Sequence, residues 1–184
     1  MDSTTKGAEE FFHRDYGTRF YANRSRPVIV GIDLQTPANI GGLIRLAGNT
    51  GCRKVIITGD ESHFRNGKIR RAASNAYGVV DTLFCDLSQW REAIPEDYTV
   101  VAVETAAGAT DIYSTPLPEK IALVVGNERF GLPDEVLSRC DKAVYIPMPG
   151  HTLSMNVVQA VAVAAFEWLR QVKTGYPHRY ESMD

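Results

Sequence analysis

The chain has 184 residues, 44% of them hydrophobic and 23% charged, with a formal net charge of −2. This length supports one domain with a substantial core and argues against two large domains. The near-neutral charge excludes a protein that coats nucleic acid through bulk positive charge, so a nucleic-acid partner would have to be bound by a local basic patch.

In chain order, the first segment is residues 1–26, which we expect to form a basic and aromatic arm of helical pattern. From Pro27 onward, short β-branched runs alternate with helix candidates. The strand-like runs are residues 28–33, 54–58, 79–85, 99–104, 121–126 and 143–148. The helix candidates are residues 38–50, 68–77, 87–94, 133–140 and 154–173. Gly175 and Pro177 then mark residues 175–184 as a tail.

This alternation predicts the fold class. Strands that lack strict polar alternation and are separated by helices form a mostly parallel sheet covered on both faces. We therefore predict an α/β domain over residues 27–174, with a six-stranded sheet and helices on both faces. Ligands of such sheets bind beyond the carboxyl ends of the strands, so the candidate loops follow Asp33, Glu104, Gly126 and Met148.

The cysteines and apolar runs bear on the cellular compartment. Cys52, Cys85 and Cys140 are far apart and odd in number, which is typical of free thiols in a reducing compartment. The N-terminus has no apolar signal core, and the longest apolar run, residues 157–166, is too short to span a bilayer. The four histidines show no ligand spacing. We expect a soluble, cytoplasmic protein with no metal and no membrane partner.

The first loop leads into "PANIGGLIRLAGNTG", residues 37–51. Glycine in a helix costs about 1 kcal/mol relative to alanine, so Gly41 and Gly42 predict a close backbone approach. Arg45 is the only charged residue of this helix. Its guanidinium either extends to solvent or a carboxylate, or contacts a phosphate, which its planar fork fits.

The second loop lies in "VVGNERFGLPDEVLSRCD", residues 124–141. A strand ends at Gly126, a turn that contains Glu128 follows, and Pro133 opens a helix. The stretch matches neither the dinucleotide-binding G-x-G-x-x-G pattern nor the P-loop pattern, which disfavours both kinds of site.

The third loop, "IPMPG" at residues 146–150, precedes the last helix. Ser154 or Asn156 would each suffice as its N-cap. Because capping needs only one such residue, the presence of both favours a further role. The helix is apolar almost all round, which predicts burial on more than one side, partly by a second subunit.

Together these three motifs resemble the SPOUT superfamily of RNA methyltransferases, specifically its TrmH/SpoU branch of ribose 2′-O-methyltransferases. The family's first motif is matched by "PANIGGLIRLAGNTG", its second by "IALVVGNERFGLPDEVLSRCDKAVYIPM" and its third by "LSMNVVQAVAVAAFEWL". The resemblance covers residues 27–173, with motif order and spacing intact.

The resemblance implies a domain whose C-terminal part forms a deep trefoil knot, which periodicity alone does not predict. It also implies that S-adenosylmethionine binds the knot loops and that homodimers form through the last helix, residues 155–172. The cofactor contacts carried over from the family are Thr105, Gly126, Ile146, Met148 and Met155.

The resemblance implies catalytic roles for Asn39, Arg45, Glu128, Ser154 and Asn156. The family arginine that matches Arg45 contacts the substrate phosphate and helps remove the hydroxyl proton. Arginine is a poor base because its pKa is so high, so we predict phosphate binding as its minimum role. Asn39 would orient the arginine or the ribose, and Glu128 would hold the site together by hydrogen bonds. Ser154 and Asn156 would fix the cofactor loop and the substrate.

Two basic clusters are candidates for RNA binding. The arm interleaves arginines with aromatic residues, which suits phosphate contacts and base stacking as well as it suits a helix packed on the domain. The second cluster consists of Arg65, Lys68, Arg70 and Arg71. No acidic residue occurs from Phe64 to Val80, which favours RNA binding over a solvated helix face. The predicted RNA-binding residues are Arg14, Arg19, Arg24, Arg65, Lys68, Arg70 and Arg71.

The leading prediction is an enzyme that methylates a ribose 2′-hydroxyl in tRNA or rRNA with S-adenosylmethionine. One alternative is a catalytically silent RNA-binding module of the same fold, which the joint presence of the five catalytic candidates disfavours. The other is a SPOUT enzyme that methylates an RNA base, which analysis of the product nucleoside would distinguish.

Overall fold

A computed structural model of the chain describes residues 16–61 and 66–175. In chain order its elements are α1 (Tyr16–Phe20), β1 (Val28–Gly31), α2 (Pro37–Thr50), β2 (Lys54–Thr58), α3 (Asn66–Ala73), a 3₁₀ turn (Ser74–Ala76), β3 (Thr82–Cys85), β4 (Thr99–Val103), β5 (Thr110–Asp111), β6 (Ile121–Val125), α4 (Asp134–Leu137), β7 (Lys142–Tyr145) and α5 (Val157–Thr174). The strands form one sheet in the order β3-β2-β1-β6-β4-β7-β5. Each neighbouring pair is parallel. The predicted α/β class is therefore confirmed.

Both faces of the sheet are covered, as expected for strands that are apolar throughout. Ile29 belongs to the core cluster beneath α2, α3 and α5, while Val30 belongs to a second cluster on the opposite face. That second face is covered by α4 and by a segment that contains the buried Trp90 and Ile94.

The prediction of a helix at residues 87–94 is wrong. This segment is a succession of turns, in which the Gln89 N–H donates to Asp86 and the Ile94 N–H donates to Arg91. Trp90 and Ile94 are buried by packing on the sheet, so tertiary contacts decide the conformation of this short segment.

The number and bounds of other elements also differ from the predictions. The predicted helix at 68–77 is α3 followed by the 3₁₀ turn, and the predicted strand at 79–85 begins only at Thr82. The sheet has seven strands instead of six, because β5 adds two residues at the edge beside β7, too few to form a pattern in the sequence. Of the predicted helix at 133–140, only α4 is helical, and α5 begins at Val157 rather than at residue 154. Gly175 ends α5 with a positive φ of 69°, the left-handed conformation that favours glycine.

The adjacent glycines of α2 permit the close approaches that they predicted. A Cβ atom on Gly41 would lie 2.4 Å from the Ile69 carbonyl oxygen of α3. A Cβ atom on Gly42 would lie 2.8 Å from Cγ2 of Val158, near the start of α5. The absence of both side chains therefore allows α2 to pack between α3 and α5.

The replacement Gly41→Ala is expected to destabilise the protein by about 1–3 kcal/mol because it overpacks the contact with α3. Helix propensity alone would predict that this change stabilises the protein, because alanine favours a helix more than glycine does. Gly67→Ala is the matched control, since a Cβ atom at that position of α3 has nothing within 4 Å. Urea unfolding of both variants checks the prediction, and equal effects of the two changes would contradict it.

The described part of the N-terminal arm packs on the domain. The Tyr21 hydroxyl donates to the Thr50 carbonyl at the end of α2, and the Arg26 guanidinium lies 4.6 Å from the Tyr21 ring centroid. Burial raises the pKa of the Tyr21 hydroxyl. The backbone N–H of Ser25 donates to Glu119 at 2.8 Å. For residues 16–26 these contacts favour the packing interpretation of the arm, while residues 1–15 lie outside the described part.

Two further findings concern the helices and the thiols. Within residues 16–61 and 66–175, no helix has the length and apolar character needed to cross a bilayer. Cys52, Cys85 and Cys140 are all free. Burial raises the pKa of Cys52 to about 12 and that of Cys140 to about 11, so these two thiols stay protonated at neutral pH.

Candidate active site

A cavity of about 770 Å³ lies at the carboxyl ends of β1, β6, β4 and β7, which are neighbours in the sheet. Its volume falls within the range of small-molecule sites, roughly 300–1,000 Å³. The residues that line it are Thr36, Asn39, Val103, Glu104, Thr105, Val125, Gly126, Asn127, Glu128, Arg129, Phe130, Gly131, Tyr145, Ile146, Met148, Leu153, Ser154, Met155, Asn156, Val157 and Ala160. All five predicted cofactor contacts and four of the five predicted catalytic residues are among them.

Glu128 is held at the edge of this cavity by three donors. Its carboxylate accepts the backbone N–H groups of Gln35 and Thr36, each at 3.0 Å, and the side-chain amide of Asn39 at 2.9 Å. Asn39 in turn accepts a hydrogen bond of 3.0 Å from the Asn156 amide. One network thus joins residues 117 positions apart in the sequence.

The direction of every hydrogen bond in this network is determined by its two ends. The Val158 backbone N–H can only donate, so the Asn156 oxygen accepts from it, at 2.9 Å. The Asn156 NH₂ group must then donate to the Asn39 oxygen, and the Asn39 NH₂ group must donate to the Glu128 carboxylate. An aspartate at either asparagine position would place two acceptors face to face.

The donors also control the protonation of Glu128. Burial by itself would raise the pKa of this carboxyl, but the hydrogen bonds from Gln35, Asn39 and Thr36 outweigh burial and hold the pKa below its ordinary value of 4.5. Glu128 is therefore ionised at neutral pH and is a weak base.

The turn that carries Glu128 is held by hydrogen bonds to Asn127 and depends on two glycines. The Asn127 side-chain oxygen accepts the backbone N–H groups of Arg129 and Phe130, at 2.9 and 3.1 Å. A Cβ atom on Gly126 would lie 2.2 Å from the Gly131 carbonyl carbon, and Gly131 has a φ of +69°. Only glycine fits the first position, and glycine is strongly favoured at the second.

Ser154 and Asn156 have different structural roles. Asn156 is the N-cap of α5, and it also belongs to the network with Asn39. Ser154 is exposed, lines the cavity, and makes no side-chain hydrogen bond with the residues that the structure describes. Its hydroxyl group is thus available to a ligand.

Arg45 is the catalytic candidate that does not line the cavity. It is exposed on α2, six residues beyond Asn39. Six residues correspond to about 9 Å along a helix and to a different face of it. Within residues 16–61 and 66–175, its guanidinium forms no hydrogen bond or ion pair, so it is available to an external anion.

The structure describes five of the seven predicted RNA-binding residues, three on α3 and two in the arm. Lys68, Arg70 and Arg71 are exposed on α3, the helix that packs against α2. The Arg24 guanidinium donates to the Phe20 carbonyl at 2.8 Å, and Arg19 is exposed on α1. Arg14 and Arg65 lie outside the described residues.

Several site residues were not predicted from the sequence. Glu104 accepts the backbone N–H of Leu132 at 3.0 Å and so holds the Gly131 turn, and Asn127 donates to the Asp33 carbonyl at 2.8 Å. Glu104 directly follows β4 and Asn127 lies two residues after the end of β6, positions at the carboxyl ends of buried strands that could have identified them. Phe130 and Leu153 line the cavity but give no such signal, because exposure cannot be inferred from residue type.

Comparisons with known proteins identify the family. A model of the SpoU rRNA Methylase family matches residues 26–166. The 23S rRNA (guanosine-2′-O-)-methyltransferase RlmB of Haemophilus influenzae is 33% identical over 153 residues, which are 82% of this chain and 62% of the relative. The chain thus spans about three fifths of that relative's length.

Solved structures agree. One solved structure concerns the 2-OH methylation of C/U34 on tRNA, and its chain is 32% identical to this one with a TM-score of 0.72. The match covers 83% of this chain and 99% of the other chain. The SpoU methyltransferase AviRb from Streptomyces viridochromogenes, in complex with AdoMet, shares the fold at 24% identity and a TM-score of 0.72, over 84% of this chain and 60% of its own. The chain therefore belongs to the SpoU rRNA methylase family, as its three motifs predicted.

Proposed function

We propose that this protein transfers a methyl group from S-adenosylmethionine to a ribose 2′-hydroxyl of RNA. The observation that carries the proposal is the convergence of Asn39, Glu128 and Asn156, from three separate motifs, on one cavity. RlmB is named for guanosine 2′-O-methylation of 23S rRNA, and the structure at 32% identity concerns C/U34 on tRNA. The first name specifies the 2′-oxygen of guanosine and the second a 2-OH group, whereas the RNA differs between them.

The cavity fits the cofactor. Its lining includes the polar Thr105, the Gly126 backbone and the apolar residues Ile146, Met148 and Met155, which suits a ligand with polar and apolar parts. Because Gly126 has no side chain, its backbone can approach that of Gly131 closely at this edge of the cavity. When bound, S-adenosylmethionine supplies an electrophilic methyl group, so the chain's own residues have only to position the acceptor and assist loss of its proton.

Each catalytic candidate has a role that follows from its surroundings. Glu128 is a positioning residue, because an ionised carboxylate with three donors and a lowered pKa is a poor proton acceptor. Asn39 and Asn156 align the start of α5 with the Glu128 turn. Ser154 offers its hydroxyl group to the cofactor or the ribose.

Arg45 binds a phosphate of the RNA at the edge of the site. It is exposed on α2, the helix that packs against α3, and α3 carries the exposed Lys68, Arg70 and Arg71. The described residues from 66 to 80 include no acid. Such a surface attracts a phosphate backbone through local charge even though the chain as a whole is slightly acidic.

The proposal includes a homodimer through α5 and the knotted arrangement of the C-terminal part. Phe166 is 53% exposed on the outward face of α5, beside the partly buried Ala162 and Leu169. Such an apolar stripe supports pairing with a second copy. The inner face of α5 is held against its own chain by the Gln171 side chain, which forms hydrogen bonds with the Thr115 carbonyl and the Leu117 N–H.

A cytoplasmic location belongs to the same proposal, in keeping with the free thiols.

Phe166→Glu is expected to convert a dimer into a monomer without unfolding the chain, because its side chain contributes to the outer face of α5. Val161 would be the wrong target, since it is fully buried in the core of its own chain. Sedimentation velocity with circular dichroism checks the result, and Tyr113→Ala, at another exposed aromatic residue, is the control. An intact dimer would place the interface elsewhere.

The decisive experiment is methyl transfer from labelled S-adenosylmethionine to unmodified rRNA and tRNA transcripts, followed by nucleoside analysis. A labelled 2′-O-methylnucleoside is the expected product. A labelled base would identify a base methyltransferase, and no transfer to any RNA would support the silent RNA-binding module. Maps of ribose methylation in cells with and without the protein would then identify the nucleotide.

A further inference from the structure

Phe130 is exposed to an extent that its role in folding does not explain. Its side chain is 77% exposed, more than Tyr16, Tyr113 or Tyr145 among the exposed aromatic residues. An aromatic ring left in water contributes little to the hydrophobic stabilisation of its own fold. A contact between the ring and another molecule therefore explains its position better than folding does.

The backbone holds Phe130 in this exposed position. Asn127 and Gly131 exchange backbone hydrogen bonds of 3.1 and 2.9 Å, and Phe130 lies directly before Gly131 at the tip of this turn. The Asn127 side chain accepts the Phe130 N–H and donates to the Asp33 carbonyl, which anchors the turn to the end of β1. Because these hydrogen bonds already order the turn, binding of a partner to Phe130 would cost little backbone entropy in this chain.

The ring stands at the border of two cavities. Phe130 lines the 770 Å³ cavity together with four of the five catalytic candidates, and it also lines a neighbouring cavity of about 640 Å³ together with Lys142. Thr105 belongs to both linings. Leu153, which is 74% exposed, adds a second apolar side chain to the lining of the first cavity.

Arg129 complements the ring. Its guanidinium carbon lies 5.2 Å from the Phe130 ring centroid. Within the described ranges, the Arg129 side chain has no carboxylate partner and no hydrogen bond. Proteins bind single-stranded nucleotides with an exposed aromatic ring that stacks on a base and a cation that contacts a phosphate, and a guanidinium without a carboxylate partner is suited to the second contact.

We propose that Phe130 is the stacking platform for the base of the nucleotide that is methylated, and that Arg129 contacts an adjacent phosphate. This inference rests on the proposed function. The ribose of a nucleotide lies between its base and its phosphate. Holding these two groups at the rim therefore places the 2′-hydroxyl over the cavity, beside the Glu128–Asn39–Asn156 network.

The test compares Phe130→Ala, Phe130→Leu and Phe130→Trp on the unmodified rRNA or tRNA transcript that the wild type methylates. Loss of one stacked base is expected to lower kcat/KM by roughly tenfold or more, chiefly through a higher KM. Trp should restore the wild-type value because it stacks, and Leu should not, although it is apolar. Affinity for S-adenosylmethionine, measured by calorimetry, should be unchanged in all three. Tyr113→Ala is the control, because Tyr113 is exposed but does not line the cavity.

The Arg129→Ala variant tests the other half of the proposal. It should weaken binding of the same transcript and reduce the slope of log affinity against log salt by about one. An unchanged slope would overturn the phosphate contact.

Three results would overturn the stacking platform. They are wild-type kinetics in Phe130→Ala, full activity in Phe130→Leu, and a loss of cofactor affinity in Phe130→Ala as large as its loss of activity. The last result would mean that the ring contacts the cofactor. If the wild type methylates no RNA, the proposed function fails and the platform fails with it. An active wild type with unaffected variants refutes the platform alone.

Discussion

Glu128→Gln should lower kcat/KM for methyl transfer to RNA on the order of a hundredfold, the effect of displacing a reacting group by about 1 Å. The carboxylate accepts three hydrogen bonds, from Gln35, Thr36 and Asn39. A glutamine would present an NH₂ group to at least one of these donors. Because Asn39 also binds Asn156, the disturbance would reach the start of α5 and the loop that carries Ser154.

The control for this change is Glu96→Gln, at an exposed glutamate that does not line the cavity. Asn39→Asp should reproduce the loss, since an aspartate places a second acceptor opposite Glu128. Steady-state kinetics on the methylated transcript measures all three variants. Near-normal activity in both Glu128→Gln and Asn39→Asp would show that the network does not position the reacting groups.

The stability effect of the same variant should depend on pH. The folded-state pKa of Glu128 is below the ordinary value of 4.5, so ionised Glu128 stabilises the fold at pH values above 4.5. This contribution is lost as the pH falls from 4.5 through the folded-state pKa. The difference in unfolding free energy between wild type and Glu128→Gln should therefore be constant near neutral pH and shrink below pH 4.5. Urea unfolding between neutral and acidic pH checks the sign, and a difference that grows in acid would refute it.

Arg45→Ala is the second variant with a large expected effect, a loss of methyl transfer of roughly a hundredfold, because without the phosphate contact the ribose is no longer held in the reacting position. Affinity for S-adenosylmethionine should stay nearly constant, because Arg45 does not line the cavity. Arg45→Lys should retain part of the activity, since lysine keeps the charge but lacks the planar fork that binds phosphate with two hydrogen bonds.

Arg53→Ala is the control, at an exposed arginine outside the cavity lining. Single-turnover kinetics measures transfer, and calorimetry measures cofactor binding. A large loss of cofactor binding in Arg45→Ala would show that the residue serves the cofactor rather than the RNA. Full activity would remove it from the site.

The site was predictable in its parts because each motif combines unusual residues at the end of a strand. The apolar runs of the sequence are interrupted by glycines, prolines and isolated polar residues such as Asn39, Glu128 and Asn156. In a parallel sheet, the residues that follow the strands lie together at the carboxyl edge. The structure brings these three residues within hydrogen-bond distance. Their roles in catalysis stay predictions.

The sequence by itself determined the α/β class, the order of the main strands and helices, and the loops that form the cavity. These follow from local periodicity and from glycine and proline, whose effects act within a few residues. Only the tertiary structure decided that residues 87–94 form turns, that Arg45 lies outside the cavity and that Phe130 stands exposed at its rim. Each of these depends on contacts between residues distant in the chain, and such contacts decide a conformation or an exposure that residue type and spacing leave open.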